Sequence, residues 1–325
     1  MVGKTILMLS LFFGPLILLN FGLAPKIWMV FLLYIISGFG MAGIGMGIMH
    51  DAIHGSYSKN RHINKALGYT FNLIGANATV WKIQHNVLHH TFTNIEEADD
   101  DLNMPRFLCF SPHAKKYGIH RYQQWYVWII YGLSTVFWVT VKDFVRLNRY
   151  RKLDLLGPKR KYKYELLKLI GWKSFYFSYA IIIPILILPF SPWIIFLAYL
   201  CMHIITGILI SSVFQIAHIM PNVAFPLPDK NGMLESDWHK HQLETTTNFA
   251  PKSRFFSWMI GGLNYQVEHH LLPHICHIHY RKISMIVAQT AVEYNMPYHS
   301  KKTFLSALAD HFRMLRSLGS KPATV

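Results

Sequence analysis

Residues 174–228 read SFYFSYAIIIPILILPFSPWIIFLAYLCMHIITGILISSVFQIAHIMPNVAFPLP and hold no Asp, Glu, Lys or Arg. A helix needs about 20 apolar residues to cross a bilayer, so this run is too long for one crossing and long enough for two. Pro184, Pro189 and Pro192 interrupt it. Proline ends or kinks a helix because it removes a backbone donor and clashes with the preceding turn. The run therefore divides into spans at 174–190 and 193–216. The pattern recurs toward the N-terminus. Lys4 and Lys26 bracket another charge-free stretch, and residues 27–49 form the next, which sets spans at 5–25 and 27–49. The first is not a signal peptide: one lysine precedes it, no small-residue cleavage site closes it, and a second span follows directly.

Composition agrees. Of 325 residues, 52% are hydrophobic and 15% charged, against about 25% charged in soluble domains, and mean hydropathy is +0.23. A disordered chain is excluded, and the balance disfavours a soluble globular protein. Each pair of spans forms a tight hairpin, turning at Pro25–Lys26 and near Ser191–Trp193. Only Lys26 among the Lys and Arg residues lies at a hairpin turn. Short positive loops stay in the cytoplasm, so both termini and residues 50–173 are expected there. Residues 125–141, WYVWIIYGLSTVFWVTV, compete as a span. If they crossed, 142–173 would lie outside with eleven Lys and Arg; the charge rule favours an interfacial or re-entrant segment rich in Trp and Tyr. The expected fold is an all-α integral membrane protein, with four transmembrane helices in two hairpins and a cytoplasmic helical cap formed by 50–173 and 217–325, as one membrane domain.

The net charge of +16 then has a simple origin, since cytoplasmic Lys and Arg beside spans face anionic lipid headgroups. No nucleic-acid-binding module is visible. Cys109, Cys201 and Cys276 form no spaced pair, so neither a disulfide framework nor a thiolate zinc site is indicated. Nineteen histidines are the anomaly.

Histidine clusters in three places: HDAIH with His50 and His54, QHNVLHH with His85, His89 and His90, and QVEHH with Gln266, His269 and His270. Spacings of three and four share a helix face. One such pair is a weak signal, but three on the same side of a membrane are a strong one. The fourth span runs into Gln215 and His218, as the second runs into His50, so these imidazoles emerge at the same surface. Imidazole suits zinc, copper, iron and nickel. Eight histidines exceed one site of about four ligands, so two metals are the economical reading; spacing does not select the metal.

HDAIH, HNVLHH and QVEHHLLP, in that order and between paired spans, resemble the membrane fatty acid desaturase family over about residues 27–285. The glutamine that opens the third box resembles the front-end acyl desaturases, which place a double bond between an existing one and the carboxyl end. The resemblance implies a non-haem centre of two iron ions in the cap, with His50, His54, His85, His89, His90, His269 and His270 as ligands and His218, in FQIAHIMP, as a further one. Beyond these ligands no catalytic residue is implied. Gln266 stands where other branches have histidine; it binds metal weakly, acts through water, or orients a neighbour. Many front-end members carry a fused haem domain. This sequence has no His-Pro-Gly-Gly signature and its ends leave no room for that domain. The expected electron donor is therefore a separate protein, a ferredoxin or a free cytochrome b-type protein, and the expected setting is a bacterial inner membrane rather than endoplasmic reticulum. The substrate implied is a fatty acyl chain, as acyl-lipid or acyl-thioester, in contact with membrane lipid.

Other residues read differently. His203 lies about 22 Å along its helix from His218 and is expected to be a hydrogen-bonded histidine of the bundle. Asp51 is expected to orient a ligand, because metal-bound imidazoles donate their other N–H to carboxylates; Glu96, Glu97, Asp99, Asp100 and Asp101 offer the same role without a choice among them. His241 is either a plain polar residue or a partner of a ligand. The glycines at 38, 40, 43, 45 and 47 suit close helix packing. Two rivals share part of this pattern: a hydroxylase of the same histidine-box type, and a membrane metal transporter. Transporters place ligands within the spans, whereas these clusters lie beyond them.

Overall fold

The charge-free stretches fold as long helices in the computed structural model, which describes residues 1–103, 105–157 and 161–320. Residues 104, 158–160 and 321–325, parts of the expected cap, lie outside the described residues. Five helical runs are long and apolar enough to cross a membrane: Val2–Asn20, Ile27–His54, Gly118–Lys152, Tyr162–Ile187 and Pro192–His218. Four of them overlap the stretches expected to span, with shifted ends. The first ends at Asn20, before a turn in which Gly22 adopts a positive φ of 73°. The helix over the third expected span begins at Tyr162, twelve residues ahead of the charge-free boundary at Ser174, because the buried Lys173 turns into the protein and does not break the helix. The remaining run, Gly118–Lys152, holds residues 125–141 within one continuous helix. That segment lacks proline, and its glycine, Gly132, packs against Ile204, so nothing turns the chain back as a re-entrant loop would require.

The chain divides into two compact units. One comprises Met1–Ile83 and Ile130–Ser211, the other Gln84–Ile129 and Ser212–Val325. The first is held by glycine contacts and a few buried polar links. A Cβ on Gly38 would lie 2.8 Å from the Met202 carbonyl, and one on Gly40 or Gly207 would run into the backbone of Phe12 or Tyr131. These glycines let helices approach more closely than side chains allow. The Tyr34 hydroxyl donates to the Ala180 carbonyl at 2.7 Å. His203 is fully buried, and both its nitrogens are engaged: Nε2 with the Tyr176 hydroxyl at 2.8 Å and Nδ1 with Thr135 Oγ1 at 3.1 Å. The Lys173 ammonium sits 2.8 Å from Asp143 Oδ2 and donates to the carbonyls of Gly75 and Val139, both at 2.9 Å. Val139 lies in a π-helical turn, Trp138–Lys142. Such a turn loosens the i→i−4 ladder and turns carbonyls toward the lysine.

The second unit is built around polar groups. Two short strands, Thr247–Phe249 and His299–Lys301, pair in parallel, the one departure from an all-helical fold among the described residues. Its last helix, Phe304–Gly319, starts at a reciprocal Thr303–Ser306 capping box and is tied back by Gln123 Nε2 to the Leu315 carbonyl at 2.8 Å. His311 on that helix donates Nδ1–H to the Ile219 carbonyl at 2.9 Å.

Candidate metal centre

The second histidine box lies on a π-helical turn, Ile83–His89, that runs into His90. On an ideal α-helix His85 and His90 would stand about 140° apart, at 100° per residue. Wider π winding brings His85, His89 and His90 together. The His85 ring stacks on His89 at 5.2 Å and meets His90 edge-on at 4.7 Å. The third box is a short helix, Gln266–Leu271. Asn248 on the first strand fixes its start, accepting from the Val267 amide at 2.9 Å and donating to Glu268 Oε2 at 2.8 Å. Tyr298 donates to the other Glu268 oxygen at 2.9 Å. Burial outweighs these bonds and pushes the Glu268 carboxyl up to about 7. With its base held, the helix splays two neighbouring histidines. The His269 ring stacks on His85 at 5.7 Å. His270 turns instead to His89 at 4.9 Å and to His218 at 4.8 Å.

Ring nitrogens of His89, His218 and His270 all lie within 4.8 Å of one another, as do those of His90, His269 and His270. His90 Nε2 is 3.3 Å from His85 Nε2 and 3.1 Å from His269 Nε2. The outward nitrogens are spoken for. His89 Nδ1 donates to Asp99, 3.0 Å from each oxygen, and His85 Nδ1 to Asp101 Oδ2 at 3.3 Å. His218 Nδ1 donates to the Thr245 carbonyl at 3.3 Å, and His270 Nδ1 to Gln242 Oε1 at 2.8 Å. Carboxylate and carbonyl oxygens only accept. They therefore keep the proton on Nδ1 and leave a lone pair on Nε2. Nε2 of His89 and Nε2 of His218 are buried and meet no hydrogen-bond partner among the described residues. Burying acceptors without partners is costly, and lone pairs converging from several imidazoles repel. A cation placed among them removes both costs, so this donor set fits a metal.

The acidic turn after the second box supplies the carboxylates. Asn94 and Glu97 take positive φ values of 61° and 64°, which folds the turn back over the box. Asp99 is fully buried and is itself fixed by the amides of Asn94 at 2.9 Å and Asp101 at 2.8 Å. Burial pushes the His89 imidazole down, but the Asp99 and Asp101 carboxylates raise it to about 9. Of the five acids expected to offer this role, Asp99 bonds His89 and Asp101 bonds His85.

The first box lies in the other unit. A π-helical turn, Ile44–Met49, leads into His50–His54, the buried His50 ring sits 4.8 Å from His54, and Trp81 stands edge-on to both. Asp51 is buried beside His50, with Oδ1 3.7 Å from Nδ1. Gln266 is buried with Nε2 on the Leu263 carbonyl at 2.7 Å, and its Oε1 has no hydrogen-bond partner among the described residues. His241 is buried but belongs to none of the histidine groups with converging nitrogens. Its neighbour Gln242 carries the orienting contact. Gln242, Asn248 and Glu268 are joined in supporting the site by Thr93, which donates to the His89 carbonyl at 2.7 Å, and by Tyr280, whose hydroxyl lies 3.4 Å from His269 Nδ1; of these, Glu268 lies inside the third box and Thr93 just after the second.

The fatty acid desaturase family profile matches residues 26–302. The chain is similar to the sn-1 linoleoyl-lipid 6-desaturase of Arthrospira platensis, 35% identical over 92% of this chain and 80% of that protein. It is also similar to the sn-1 linoleoyl-lipid 6-desaturase of Synechocystis sp., 34% identical over 91% of this chain and 82% of that protein. An acyl-lipid (8-3)-desaturase of Physcomitrium patens is 34% identical over 87% of this chain and 59% of its own length.

Proposed function

Because the chain belongs to the fatty acid desaturase family, we propose that it uses O2 to desaturate a fatty acyl chain and does so as a front-end enzyme. The names of its relatives, two 6-desaturases of linoleoyl lipid and an acyl-lipid (8-3)-desaturase, favour an acyl-lipid substrate. One observation carries the metal reading: His89 and His218 bind acceptors through Nδ1 while their buried Nε2 atoms lack a hydrogen-bond partner among the described residues.

Two irons would be held by His50, His54, His85, His89, His90, His218, His269 and His270. When bound, they supply the four-electron reduction of O2 to water, with two electrons from adjacent methylenes and two from an external donor. The protein's own part is positional. Asp99, Asp101, Gln242 and the Thr245 carbonyl hold protons on Nδ1, so each Nε2 meets metal as a neutral ligand. Gln266 Oε1 is available to a water or a weak metal contact. Methylenes are chemically nearly alike, so the apolar surroundings must decide which pair is presented.

The membrane arrangement proposed has four crossings, both termini in the cytoplasm and Gly118–Lys152 kept on the cytoplasmic side. The basic residues of 142–173 support it. The electron donor is a separate ferredoxin or cytochrome b-type protein, and the membrane is a bacterial inner membrane. The test is expression in a host that supplies unsaturated acyl chains and a donor, with mass spectrometry of total fatty acids beside a His269→Ala control. A new double bond in the wild type alone establishes desaturation and its position. A new hydroxyl group would assign the chain to oxygenase chemistry, and bound zinc with unchanged lipids would overturn the reading.

A further inference from the structure

Gly171 stands in the middle of helix Tyr162–Ile187, although glycine is among the poorest helix formers. The packing glycines of the same unit, Gly38, Gly40 and Gly207, each admit the backbone of another helix. A Cβ on Gly171 would meet nothing within 4 Å. The helix buries Glu165, Leu169, Lys173 and Tyr176 on its inner face. Lys168, Gly171, Trp172 and Phe175, at spacings of three and four, share the outer one. With Leu73 they line an open-sided groove of about 550 Å³, and Gly171 is its floor. Its walls are aromatic and aliphatic: Trp172 stacks on Tyr69 with ring centres 6.3 Å apart, and Phe175 is exposed.

One end of the groove is cationic. The Lys168 ammonium lies 5.3 Å from the Tyr164 ring and 3.5 Å from Glu165 Oε2. An ammonium has three donors, so the Glu165 contact does not exhaust it. The surrounding segment is strongly basic: residues 142–173 hold eleven Lys and Arg against Asp143, Asp154 and Glu165. A cation beside Trp and Tyr, followed along the helix by an apolar trough, matches an amphiphile with an anionic head. We propose that this groove binds one anionic phospholipid, its headgroup on Lys168 and an acyl chain laid over Gly171 between Trp172, Phe175 and Leu73. The placement rests on reading Tyr162–Ile187 as a crossing with Lys168 at headgroup level, where Trp and Tyr gather and the cytoplasmic leaflet is negative. It does not depend on the reaction at the histidines.

The test is native mass spectrometry of the full-length, delipidated protein in detergent, offered phosphatidylglycerol or phosphatidylcholine with identical chains. The wild type should retain one phosphatidylglycerol, with about fivefold preference over phosphatidylcholine. Gly171→Leu fills the trough from a position where a Cβ meets nothing within 4 Å and should lose the tightly held lipid of either kind. Lys168→Gln, a partly exposed change that leaves the trough open, should keep a lipid but lose the preference. Equal retention of the two lipids by the wild type, or undiminished retention by a folded Gly171→Leu protein, would overturn the proposal. Loss of preference in Lys168→Gln alone would sustain the headgroup contact even if Gly171→Leu failed to fold.

Discussion

His203 and His89 are both buried imidazoles, in different units and with opposite accounts. At His203 the two nitrogens meet a hydroxyl each, from Tyr176 and Thr135, and the ring is complete. At His89 the carboxylate of Asp99 fills one side and nothing among the described residues fills the other. Burial alone is therefore no metal signal. A side already bonded to a pure acceptor, opposite a side that is buried and bare, is one. The same distinction separates Tyr176, which serves packing, from Asp99, which serves a ligand.

Removing a ligand should break the contrast most sharply. His270→Ala is expected to lower desaturation more than a hundredfold, beyond what loss of an outer partner typically costs, and to lower bound iron as measured by metal analysis. His203→Leu should leave iron unchanged. The next effect concerns the bonded side. Asp99→Asn replaces a carboxylate by an amide that can present its N–H to His89, and should weaken iron retention against a chelator by about 10- to 100-fold. If iron retention matched the wild type, the carboxylate would be only a structural link.

His311 sharpens the comparison from within the histidine-rich unit. Its Nδ1 donates to the Ile219 carbonyl, and burial pushes the imidazole down to about 4, against about 6.5 when unfolded. Above pH 6.5 both states are neutral and stability is unaffected. As pH falls from 6.5 toward 4 the unfolded chain takes a proton that the folded one refuses. Stability should drop over that window by up to about 3 kcal/mol, read as a falling melting temperature that His311→Gln flattens. The smallest effect is at His203. Leucine there takes the ring acceptor from the Tyr176 hydroxyl, while Thr135 keeps the backbone carbonyl of residue 203 at 2.9 Å; the change should cost about 1–3 kcal/mol in thermal unfolding without touching iron.

Much of this was legible beforehand because it is periodic or charge-coded. The long apolar helices follow from runs without charge, and the three boxes from spacing on a helix. The finer geometry is not coded that way. Helix Tyr162–Ile187 begins among lysines because one of them, Lys173, finds its acceptors in Asp143 and three carbonyls, a tertiary fact invisible to a hydropathy window. The i, i+5 pair His85 and His90 was the trace of π winding, which an ideal 3.6-residue period hides. The choice of Asp99 and Asp101 among five neighbouring acids depends on left-handed backbone at Asn94 and Glu97, positions where sequence preference is weak. Gln242 and Asn248 reach the site from a distant part of the chain, where no local pattern marks them.

The Lys173–Asp143 contact bears on how the protein is made. Taken singly, helix Gly118–Lys152 would bury a bare carboxylate and helix Tyr162–Ile187 a bare ammonium, each costing several kcal/mol to take out of water without its partner. Joined, they present neither. The later-synthesised helix brings the counter-ion for the earlier one, thirty residues after it leaves the ribosome. The earlier helix therefore packs fully only once the later one has been made, and Lys173→Met should leave Asp143 buried without its counter-ion, lowering thermal stability by about 3–5 kcal/mol.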